Sequence, residues 1–129
     1  MAETNGRRKS QVKYVEVPSI DTYGHKQPQV LDMEVAVLGA LMIDQNAYGQ
    51  VAEMLKPESF YDHRHQLIYK AVQSLNSEQK PVDIMTVQDQ LTKSNELEEA
   101  GGLPYILEIN SKIISSAHLE YHAKVVAQR

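Results

Sequence analysis

The chain has 129 residues, 42% of them hydrophobic, with one Phe, no Trp and no Cys, which suits a single domain with an aliphatic core. The missing cysteines exclude disulfides and thiolate metal sites, and a formal charge of −4 argues against a surface built for a phosphate backbone. No apolar run approaches the roughly 20 residues that span a bilayer and no signal-peptide core is present, so a soluble cytoplasmic protein is expected.

Residues 1–29 carry Arg7-Arg8-Lys9, scattered polar residues, Pro18 and Pro28, without sustained periodicity. Such a stretch buries too little apolar surface to offset its ordering entropy, which predicts a disordered tail. The basic triplet is a candidate contact for nucleic acid or an acidic partner, but three charges neutralise few phosphates.

A helical domain is predicted over 30–129. From Leu31 onward, Leu31, Val35, Leu38 and Met42 recur at helical spacing, and Val37 and Leu41 widen the stripe, as in a central buried helix. Asp44-Gln45-Asn46 ends it, with Asn46 the expected N-cap of a second helix over Ala47–Leu55. Pro57 stops that helix, and Pro57 to Tyr61 reads as a tight turn pinning two aromatics to the core.

A third helix is predicted over His63–Ser77, with Leu67, Ile68, Ala71, Val72 and Leu75 inward and Arg64, Lys70 and Gln73 toward water. Lys80-Pro81-Val82 reads as an extended link, and Asp83 as the N-cap of a fourth helix reaching about Lys93. Gly101-Gly102 closes a polar segment before a fifth helix, Leu103 to Asn110, with Pro104 in its first turn. The last helix starts near Ser115 or Ser116, with Leu119, Ala123 and Val126 on one side and Tyr121 and Val125 on an adjacent one. It reaches Arg129 without a C-cap signal, as a piece of a longer protein would. The predicted class is therefore all-α, a compact bundle of about six helices.

Catalytic signals are scarce. Gly101-Gly102 lacks the Lys and Ser/Thr of a phosphate loop, and no G-x-S-x-G elbow is present. Asp83 has no acid or base partner nearby in sequence and reads as a cap. His118 and His122 share a helix face at i and i+4, but Leu119 stands where H-E-x-x-H needs glutamate, and a third ligand would have to come from afar. No metal, cofactor or catalytic residue is assigned. His63 and His65, at a helix start, read as packing or hydrogen-bonding groups.

Five segments in order resemble the N-terminal domain of the bacterial replicative DNA helicase, the DnaB family. They are Leu31 to Leu41 ending Val37-Leu38-Gly39-Ala40-Leu41, Phe60-Tyr61 with its nearby histidines, Pro81-Val82-Asp83 with Thr86-Val87, Leu97 to Gly102 with Tyr105, and Tyr121 through Val125-Val126. The sequence departs from the family pattern at Val30, usually a small capping residue, and at Asp32, usually glutamate.

The resemblance implies a helical head followed by a helical hairpin, of which the last helix here is the start. It implies hairpin-paired dimers, three of which form a collar on a hexameric ring. It also implies an ATP- and Mg-dependent motor in another domain, and docking of the primase C-terminal helicase-binding domain on the collar. By motif position, Asp32 and Tyr105 are the candidate primase contacts, and Tyr121 and Val125 the candidate pairing face. With only part of the hairpin, hexamers should be weak or absent. Direct DNA contact through this domain is expected to be weak, and no membrane contact is expected. The alternatives are a single-stranded-DNA-binding helical domain, a stand-alone helicase regulator, and a small metal enzyme built on His118 and His122.

Overall fold

The apolar run that begins at Leu31 lies within α1, Pro28–Ile43, the helix against which α6, α5, α3 and α2 all pack. A computed structural model describes residues 28–112 and 116–128, so the predicted tail and its basic triplet fall almost wholly outside the described residues. Val37, Leu38, Ala40, Leu41 and Met42 are all buried, as expected of a helix surrounded by others. Helix α1 begins at Pro28, three residues ahead of the apolar stripe. Proline suits a first turn because the amide it lacks would have no helical acceptor there.

Helix α2 is short, Ala47–Val51, and residues 52–54 form a turn instead of continuing to Leu55. Leu55 is buried all the same. Asn46 is not a side-chain cap: its backbone is already helical, and its own N–H donates to Asp44 Oδ1 at 2.9 Å. The turn into α2 is thus organised by the carboxylate two residues earlier. A 3₁₀ turn at Pro57–Ser59 leads to Phe60, which is fully buried, whereas Tyr61 is 39% exposed. Only one of the two aromatics expected inside is there.

Helix α3 spans His63–Ser77 as predicted, capped by Asp62, whose side chain accepts the Arg64 N–H. Its buried face adds His65 and Tyr69 to the predicted apolar set. Tyr69 satisfies its hydroxyl on the Leu55 carbonyl at 3.0 Å and lies against Phe60. Each such fully buried large side chain contributes roughly 1.5–3 kcal/mol.

Asp83 caps α4, Ile84–Lys93, through a reciprocal box with Thr86 in which each residue's backbone N–H finds the other's side-chain oxygen at 2.9 Å. Helix α5 covers Gly102–Ser111, one residue longer at each end than expected, with Pro104 inside its first turn. Helix α6 covers Leu119–Ala127 and begins later than Ser116, whose hydroxyl donates instead to Asp44 Oδ2 at 2.8 Å. Leu119, Ala123 and Val126 are buried against α1 and α2. Among the described residues there are six α-helices and no strand.

Candidate functional site

One charged side chain interrupts the apolar surface of α1. Glu34 lies one turn from both Leu31 and Leu38, on the core stripe, and is fully buried. A carboxylate there demands donors, because an unpaired buried charge costs several kcal/mol. Three are supplied. Oε2 accepts the Tyr61 N–H at 2.6 Å, and Oε1 accepts the Asp62 N–H at 3.3 Å and pairs with His65 Nδ1 at 2.7 Å. The extended backbone at Phe60 and Asp62 aims these amides inward just before α3 starts.

The imidazole carries the network outward. Its Nδ1 faces the carboxylate and its Nε2 lies 2.6 Å from the Tyr105 hydroxyl on α5, a group able to donate or accept as the ring tautomer requires. The two rings stack at 10° with centroids 5.9 Å apart. Arg64 covers Tyr105, its guanidinium carbon 3.9 Å from the ring centre, and is held there by two hydrogen bonds to Asp62, at 3.1 and 2.8 Å. Burial pushes the Tyr105 hydroxyl up to about 12, against the opposing pull of Arg64, so its proton stays available to His65 at neutral pH. Burial acts to raise Asp62 as well, but the Arg64 hydrogen bonds prevail and hold its carboxyl below the ordinary range.

Gly101 completes the clamp. A Cβ at this position would fall 2.7 Å from the Tyr105 Cβ, and its φ of 105° is one that side-chain-bearing residues rarely adopt. The glycine lets Tyr105 reach back over α3.

Tyr105 is therefore half-buried, with its hydroxyl committed to His65, whereas Asp32 is exposed on α1. The structure does not join these two residues by a polar contact. Tyr121, 61% exposed, and half-buried Val125 share a flank of α6. His63 pairs at the surface with Glu99 at 2.6 Å, the hydrogen-bonding role expected of it. Sequence reading missed Glu34, the network's centre, although a carboxylate at i+3 from one core leucine and i−4 from the next was a legible signal.

The clamp joins α1, α3 and α5. A surface groove at Thr92, Asn95, Leu97 and Glu98 has a volume of about 160 Å³, below the roughly 300 Å³ at which ligand pockets begin. Among the described residues, no group of three or more His, Cys, Asp or Glu could hold a metal ion, and no helix is long and apolar enough to cross a membrane.

Fold and site together define an all-helical scaffold domain organised around a buried polar clamp. The family model for the DnaB-like helicase N terminal domain matches residues 26–128, and the chain belongs to that family. It is 41% identical over 106 residues to the replicative DNA helicase DnaB of Rhodothermus marinus, covering 82% of this chain and 11% of that protein. It is 38% identical over 102 residues to the replicative DNA helicase DnaC of Bacillus subtilis, covering 79% of this chain and 22% of that one. The chain thus spans less than a quarter of these relatives. The crystal structure of the N-terminal domain of DnaB helicase from Mycobacterium tuberculosis superimposes with a TM-score of 0.72 at 34% identity, over 76% of this chain and 71% of that one.

Proposed function

We propose that this domain is the non-catalytic collar of a cytoplasmic replicative helicase, a docking and pairing module. It receives the C-terminal helicase-binding domain of primase on its head and pairs with further copies of itself through α6. ATP hydrolysis with Mg and translocation on DNA belong to the motor part of such a helicase. The observation that carries this reading is the family match over 26–128, on a chain whose buried polar cluster is used up in holding its own helices together. Docked primase gains a high local concentration at the fork, and its binding favours whichever collar geometry it fits best.

Asp32 and Tyr105 are the proposed primase contacts. Asp32 offers an exposed carboxylate, and Tyr105 with its overlying Arg64 offers a rigid aromatic–cation surface, the type of group that concentrates binding energy. Titration of the chain with the same organism's primase C-terminal domain, read by calorimetry, should show saturable binding. Asp32→Ala should weaken it without lowering the melting temperature. For Tyr105, Tyr105→Phe keeps the ring while removing the His65 bond, so stability and affinity are separable. Absence of binding would overturn the docking role. Salt-sensitive binding to single-stranded DNA in its place would favour the DNA-binding alternative.

A further inference from the structure

The flank of α6 that bears Tyr121 and Val125 also carries two imidazoles. His118 occupies the cap position and its carbonyl accepts the His122 N–H at 3.0 Å, so the two residues are a true i, i+4 pair on one face. Their rings meet edge to face with centroids 6.2 Å apart, and the Tyr121 ring lies 5.8 Å from that of His122. His118 is exposed and His122 half-buried.

Two imidazoles sharing one tetrahedral zinc, with Zn–N of about 2.0–2.1 Å, have ring centres roughly 5 Å apart. The observed separation of 6.2 Å is about 1 Å wider than that. What is missing is the rest of the coordination sphere, since the described residues of this chain hold no third ligand nearby. Symmetry can provide it. A two-fold axis crossing α6 at Glu120, midway between the histidines, sets His118 of one copy against His122 of the other in an antiparallel pair.

We propose that His118 and His122 form half of a site for an imidazole-preferring dication of the zinc, nickel or copper type, completed by the same pair from a second copy. This rests on the reading of α6 as the pairing helix. The second copy is the fitting occupant because the site is incomplete within one chain and self-complementary across a two-fold. The metal adds four nitrogen bonds at the centre of a face that is otherwise one tyrosine and one valine wide.

The test uses the full chain without a polyhistidine tag, with zinc in sedimentation equilibrium and cobalt for visible absorption. The expected result is one metal per two chains, a four-coordinate cobalt spectrum, and a dimerisation constant raised about tenfold when free zinc is about ten times the site's dissociation constant. His118→Gln or His122→Gln should abolish the zinc effect, while His63→Gln on α3 should preserve it. Dimers indifferent to zinc would overturn the metal site and leave α6 pairing intact. One metal per monomer, or a zinc response that survives both glutamine variants, would also overturn it. A chain that neither pairs nor binds metal would overturn this site and the pairing reading together.

Discussion

Glu34 and His65 stand 2.7 Å apart with both side chains essentially removed from solvent, at 0% and 1% exposure. They lie 31 residues apart in the chain, on α1 and α3, and each is satisfied on its far side, by the Tyr61 amide and the Tyr105 hydroxyl. A pair so enclosed makes the fold depend on acceptor count as much as on shape.

Glu34→Gln is isosteric, yet it should destabilise the domain by about 2–4 kcal/mol. Three donors converge on the two carboxylate oxygens, so either orientation of an amide sets its NH₂ against an N–H. Urea unfolding read by circular dichroism measures this, and a change below about 1 kcal/mol would rule out the three-donor account.

Gly101 and Gly102 both have positive φ, 105° and 76°, but only Gly101 touches Tyr105. Alanine at 102 should cost about 1 kcal/mol of backbone strain, and alanine at 101 at least about 2 kcal/mol because strain and overlap act together. Thermal melts of the two variants should separate in that order. Equal losses would mean that the ring contact is immaterial.

Acid should unfold the domain partly through two aspartates. Arg64 lowers Asp62 against the effect of burial, and the Asn46 amide followed by the Ser116 hydroxyl lowers Asp44. Carboxyls with depressed folded pKa bind fewer protons in the native state. Their contribution is therefore complete above the ordinary value near 3.8 and lost as pH falls through the lowered one. The melting-temperature gap between the native sequence and Asp62→Asn should be widest at pH 7 and shrink toward pH 3. A gap of constant size would contradict the linkage.

Gln79 closes α3 with φ of 60°, and Asn95 closes α4 with φ of 63°. Gln79→Gly should stabilise by about 0.5–1 kcal/mol, since glycine adopts this conformation without steric cost. Asn95→Gly should gain less, because asparagine tolerates it better. Differential scanning calorimetry on both variants checks the ranking, which would fail if Gln79→Gly lowered the melting temperature.

Helix order and most of the core were legible because they follow from periodicity and caps: the α3 and α4 boundaries coincide with the predicted ones, and Asp83 caps where its spacing required. Errors fell where a side chain binds backbone out of register with local pattern. Asn46 looked like a cap by composition, but the Asp44 carboxylate reaches the amide first. The buried clamp was not legible because its members lie 31 and 40 residues apart in sequence, and only the packing of α1, α3 and α5 brings them together. Periodicity reports which face is inward; it does not report which inward polar groups meet.

The side-chain amide of Gln45 meets the backbone of Val82 on both counts, donating to its carbonyl at 3.1 Å and accepting its N–H at 3.2 Å. Lys80 N–H is taken by the Leu75 carbonyl, Pro81 has none, and Asp83 N–H is taken by Thr86. Every amide hydrogen along the link between α3 and α4 is thus already committed inside the chain. An open strand edge offers both amides and carbonyls to an incoming strand, and this link has no amide left to give. The segment joining α3 to α4 is thereby short of the donors that edge-to-edge aggregation needs.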